Sequence, residues 1–317
     1  MGSGALQAAV QNTTPEDLTA ALGSLPPAQR AKVNFALQTA AVAQPGLGSL
    51  VDELFEMRTL PPKLLLLEKV LCTLVGLDPG DDAHLMAQRC LYSPEDEDLA
   101  GELERACGQV GSVRGKALLA KLREVGPGGD TEASLADFAG NPDAAADQLG
   151  ATSLLMGKAG AWLHALASGA DPGAAFAELE QTVVGDPFLV AELFDMAVPP
   201  AKVLLVEQAL CKAAGVEVFE VEGRPEVHLS AQRGLYSPAS DELEQEMAEA
   251  EGRVAEVRGK AFLAKLTSVK PGPDAKEKTA AFVADPELSP EKLARSSLLG
   301  GKVAAWLCAL HEYSESL

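Results

Sequence analysis

The chain has 317 residues and a formal net charge of −20, with 47% apolar but only 4% aromatic residues. Cores built from Leu, Val and Ala favour helices, and this length allows two or three domains. The acidic balance argues against nucleic acid or an anionic membrane surface as ligand, because both are held chiefly by Lys and Arg.

Residues 1–48 read as a helical N-terminal extension. "TTPEDL" from Thr13 has the form of an N-cap followed by Pro and acids in the first turn, and "PPAQRAKVNFALQTAAVA" follows as a second helix. From residue 49 onward the chain says nearly the same thing twice. Residues 91–125 and 235–269 share 19 of 35 positions at an offset of 144, and "SLLMGKAGAWLHAL" from Ser153 matches "SLLGGKVAAWLCAL" from Ser297 at 10 of 14. Upstream, "ELFEMRTLPPKLLLLEKVLCTLVG" from Glu53 pairs with "ELFDMAVPPAKVLLVEQALCKAAG" from Glu192. A repeat of this size exceeds the 20–50 residues of solenoid units. We therefore expect two tandem homologous all-α domains, 49–168 and 169–317, joined at "ASGADPGAAF".

Within a copy, Pro61-Pro62 or Pro199-Pro200 ends one helix and starts the next. The helix beginning near residue 63 is apolar nearly all round and should be buried, ending at Gly76 or in "DPGDD". "SPEDEDL" predicts a further helix with Ser93 as N-cap and Pro94 at its first position. Its apolar stripe is Leu99, Leu103, Ala106, Val110, Val113, Ala117 and Ala120, matched by Leu243, Met247, Ala250, Val254, Val257, Ala261 and Ala264. That spacing is a packing seam, read as packing within its own domain, with a short coiled coil with a partner as the alternative. A loop, a short helix and a turn lead to the closing helix with Trp162 or Trp306. Each proline-started helix is expected to nest under the tryptophan helix of its own copy. The extra residues of the second copy, including "EVFEVEGRP", read as a surface loop with a short extended piece.

Catalytic signatures fail. "VGSVRGKA" and "VAEVRGKA" lack the first Gly and the Ser/Thr of a phosphate loop, at Val110 and Val254 and at Ala117 and Ala261. His84 and His228 correspond between copies without a neighbouring nucleophile and read as structural hydrogen-bonding groups; Tyr92 and Tyr236 read as half-buried anchors. No metal or cofactor pattern occurs, so no enzyme activity, cofactor or small-molecule substrate is expected. Five cysteines, odd in number and without a Cys-x-x-Cys pair, fit reduced thiols in an intracellular compartment. Apolar runs fall short of a membrane span and no secretory leader is evident.

The order of Pro-Pro, an apolar helix ending before Gly, and a closing Ser-x8-Trp helix resembles the microtubule-binding domain at the tip of the dynein heavy-chain stalk. Ser153 to Trp162 and Ser297 to Trp306, with Tyr313 trailing, carry the resemblance, which covers nearly all of each copy. It implies a non-catalytic structural protein of the ciliary or flagellar axoneme, in the cytoplasm and cytoskeleton, whose partners are tubulin, microtubules or other axonemal proteins. The chain departs from that family at Leu65 and Leu204, and at Ala161 and Ala305, where stalk-tip domains carry Lys, and it has neither stalk heptads nor a motor. Basic residues on the relevant helices, Lys63, Lys69, Lys158, Lys202, Lys212, Arg295 and Lys302, are the candidate partner-binding set. The alternative is a cytosolic helical adaptor that binds other proteins.

Overall fold

The computed structural model describes residues 51–317 apart from 52, 53, 56, 58–59, 127–129, 286–291 and 293–297. The extension read over 1–48 lies outside the described residues. Those described are mostly helical, with one two-stranded hairpin.

Helix α1 (Pro62–Leu74) starts with Pro62 in its first turn, where a missing N–H costs nothing. It buries Leu64, Leu67, Glu68, Val70, Leu71 and Cys72. Gly76, at φ +82°, ends it: Leu77 N–H donates to Cys72 O at 2.9 Å, and a side chain would strain that left-handed turn. Helix α2 (Ala83–Met86) follows, capped by Asp82 and continued by a π-helical turn, Ala87–Leu91. Then comes α3 (Glu97–Arg123). Its cap is Asp96, whose Oδ1 accepts from the N–H groups of Asp98 and Leu99; the Ser93 hydroxyl instead donates back to Gln88 O at 3.1 Å. The expected cap at Ser93 is thereby corrected: its hydroxyl is committed to the preceding helix.

Helices α4 (Asp130–Gly140), α5 (Ala146–Leu149) and α6 (Leu154–Ser168) complete copy one, with Ser153 capping α6 through Met156 N–H. Copy two opens with α7 (Pro172–Gly185) and α8 (Pro187–Asp195); α9 (Ala201–Ala213), α10 (Val227–Gly234), α11 (Asp241–Ser268), α12 (Pro273–Ala284) and α13 (Leu298–Ser316) then correspond to α1, α2, α3, α4 and α6. The additional residues between α9 and α10 form an exposed hairpin, β1 (Glu220–Val221) against β2 (Arg224–Pro225).

The compact units do not follow the repeat boundary at 168/169. One contains the described residues up to Leu103 together with Val254–Leu317; the other is Glu104–Arg253. Unit one joins the first half of copy one to the second half of copy two, and unit two joins the remaining halves. Trp306 packs on the core that holds Leu64, Leu67 and Leu71 of α1. Trp162 lies in the core that holds Val203, Val206 and Leu210 of α9. Each proline-started helix does sit in a core with a tryptophan helix, but with that of the other copy, which corrects the expected pairing. The contacts along α3 and α11 agree: Lys116 pairs with Glu246 and Lys121 donates to Ser237 O within unit two, while Lys260 pairs with Glu102 and Lys265 donates to Ser93 O within unit one.

The predicted seam is buried from Ala106 to Ala117 and from Met247 to Ala261, while Ala120 and Ala264 are exposed. Beyond Ala117 burial shifts to Leu118, Leu119 and Leu122, as the 3.6-residue turn drifts off a 3.5-residue stripe. Gly111 explains the glycines of "VGSVRGKA": a Cβ there would stand 2.2 Å from Pro187 O, so the start of α8 approaches the backbone of α3 directly.

Candidate functional site

Titratable side chains concentrate in two buried clusters, one per unit, at corresponding positions of the two copies. Both begin with a glutamate inside an apolar helix, Glu68 on α1 and Glu207 on α9, 3% and 0% exposed. A carboxylate there is tolerable only if partners replace its water.

In unit one, Tyr92 Oη donates to Glu68 Oε1 at 2.5 Å and His84 Nδ1 lies 2.8 Å from Glu68 Oε2. His84 Nε2 lies 2.5 Å from the carbonyl of Met57. With its Nε2–H donated to Met57, the contact with Glu68 carries one proton held between imidazole and carboxyl. Burial raises the Glu68 carboxyl above the usual range, and the bonds from Tyr92 and His84 oppose that rise. In unit two, Tyr236 Oη donates to Glu207 Oε1 at 2.7 Å, and His228 Nδ1 is 2.8 Å from Oε2 and 3.0 Å from Oε1. Here His228 Nε2 faces the amide nitrogen of Gln232 at 3.2 Å, so the ring accepts from the amide and donates through Nδ1. Gln232 also donates to Phe194 O, as Gln88 does to Phe55 O.

Burial, followed by the neighbouring glutamate, pushes the Tyr92 and Tyr236 phenols well above their ordinary range. The Cys72 and Cys211 thiols, one helical turn from the glutamates, are pushed up to about 12. A thiol so held is not a thiolate and does not act as a nucleophile at neutral pH. The expectation of structural histidines thus acquires its partner. The acids that sequence inspection did not connect to His84 and His228 are Glu68 and Glu207, and their signal was a glutamate repeated inside both apolar runs, followed four residues later by Cys.

A second paired feature surrounds α3 and α11. Arg114 stacks 3.4 Å from the Phe194 ring centre, and Arg258 stacks 3.5 Å from that of Phe55. Lys121 donates to Ser237 O and Lys265 to Ser93 O. Lys116 pairs with Glu246 at 2.5 Å, and Lys260 with Glu102 at 3.2 Å. The "VRGK" segment is thus a cross-copy packing element.

Of the basic residues proposed for a partner, Lys63, Lys69 and Lys302 belong to unit one, and Lys158, Lys202 and Lys212 to unit two. Lys158 is ion-paired to Glu178 at 2.7 Å, and Lys202 donates to Gln148 Oε1 at 2.9 Å and to its carbonyl. Lys69 and Lys212 are exposed, and Lys63 and Lys302 are half-buried. Arg295 lies outside the described residues. Among the described residues, no group of three His, Cys, Asp or Glu is arranged to hold a metal ion, and no helix is long and apolar enough to cross a membrane.

No protein-family model matches the chain, no characterised protein matches its sequence, and no solved structure matches its fold.

Proposed function

We propose that the chain is a non-catalytic helical protein that works by binding other proteins. The observation that carries this reading is the state of its chemistry-bearing residues. Both Glu–Tyr–His clusters satisfy one another inside the cores, and the cysteines beside them are held as thiols. Groups partnered in this way specify packing.

The narrower proposal is stable incorporation in the axoneme of a cilium or flagellum, against microtubules or doublet-bound complexes, through dynein-head-like helical surfaces. It is supported by the stalk-tip order of elements in each copy and by Leu65, 39% exposed where that family carries Lys. An apolar side chain on a contact face suits permanent packing better than a cycling, salt-sensitive contact. The competing reading is a cytosolic adaptor. Detergent-extracted, salt-washed axonemes distinguish the two. Retention of the chain, with pelleting on stabilised microtubules or doublets, supports the axonemal role. Complete release into the soluble fraction, with capture of soluble partners only, overturns it in favour of the adaptor.

A further inference from the structure

We propose that the two copies, up to Ser168 and from Gly169, are each other's binding partner: the chain is a fused, exchanged dimer held by noncovalent contacts and not by the connection between them.

The contacts have the form of an isologous interface, in which residue i of one partner meets residue j of the other and the reverse also holds. Lys116 of copy one meets Glu246 of copy two, while Glu102 of copy one meets Lys260 of copy two; both pairs are related by the offset of 144. Lys121 binds Ser237 O, and Lys265 binds Ser93 O. Arg114 covers Phe194, and Arg258 covers Phe55. Gln109 Oε1 accepts from Arg253 at 3.0 Å, a contact between a position and its own counterpart. Two domains that each closed on themselves would have no reason to match contacts in this reciprocal way. Two identical chains forming a symmetric dimer must do so.

The cores agree. The apolar face of α1 is covered by Phe262, Leu266, Phe282, Val303 and Leu307, all from copy two. The core around α9 draws Leu118, Phe138, Leu155, Trp162 and Leu163 from copy one. Each copy therefore presents two incomplete apolar faces, and the partner that completes both is a second copy of the same repeat. The peptide connection plays no part in this. Ser168 to Asp171 are exposed, and Gly169 at φ +66° simply turns the chain between α6 and α7.

The test uses the full chain with a specific protease site replacing Gly169-Ala170, cleaved in the folded state. The two pieces are expected to co-elute at the 32.9 kDa mass of the intact chain by size exclusion with light scattering. Elution as two separately folded pieces would overturn the proposal. A second measurement leaves the chain uncut. Zero-length carbodiimide coupling is expected to join exposed Glu95 to Lys265, whose Nζ lies 3.4 Å from Glu95 Oε1. Coupling of Glu95 to Lys121 instead, the pair that a self-closed copy would form, would sink the exchange.

Discussion

Unit one and unit two are built from the same parts taken from opposite copies, and what they keep in common differs in kind from what they change. Both keep the buried glutamate with its Tyr and His, the arginine on a phenylalanine face, and the lysine on a serine carbonyl. They differ at their margins. The His84 ring reaches the Met57 carbonyl where His228 meets the Gln232 amide, and a π-helical turn in copy one stands where α10 is regular. A hairpin is present in copy two only, and Gly111 corresponds to Ala255. Tyr92 and Tyr236, with the halves of α3 and α11 that meet them, define the unit; the loops and the second bond of each histidine do not.

The largest effect expected is at the clusters. Glu207→Ala leaves the His228 ring and the Tyr236 hydroxyl buried without their acceptor, at a cost of about 3–5 kcal/mol, and Glu68→Ala should act alike on unit one. Denaturant melts combined with hydrogen exchange would show protection lost over 104–253 in the first variant and over the other unit in the second. A large loss from one substitution and none from the other would break the equivalence of the units.

Smaller, and asymmetric, is the helix contact. Gly111→Ala forces α3 away from Pro187 and should cost about 1–3 kcal/mol, as overpacking does. The reverse change at the matching position, Ala255→Gly, should cost about 1 kcal/mol through helix propensity alone. Equal costs, read as shifts in denaturation midpoint, would show that the glycine has no packing role peculiar to unit two.

Alkaline titration sharpens the comparison further. The folded chain keeps the Tyr92 and Tyr236 protons at pH values where the unfolded chain has released them, so stability falls as pH rises above about 10. Tyrosinate absorbance from these two residues should appear together with the loss of helical circular dichroism. Ionisation of either one while the helices persist would place it outside the core.

The smallest readout is thiol chemistry. Cys72 and Cys211, buried and raised to about 12, should stay silent toward a disulfide reagent in the native chain and react on unfolding. Native reactivity at only one of them would show that its unit opens more readily than the other.

The amino-acid sequence by itself determined the helices, the glycine stop at Gly76, and the fact of duplication, but not the cap of α3, which passes from Ser93 to Asp96. The first three depend on neighbours within a few residues and on an offset visible by alignment. Glu68 and Glu207 were legible as repeated acids in apolar runs, but not as the partners of His84 and His228, because a bond across 16 or 21 residues has no local signature. The pairing of the halves was likewise beyond the sequence. The two copies are alike enough that either tryptophan helix offers an acceptable face to either proline-started helix, so local preference left the choice open. Tertiary structure decided it through contacts along α3 and α11, where Lys116 meets Glu246, Lys260 meets Glu102, and Arg114 and Arg258 each cover a phenylalanine of the other copy.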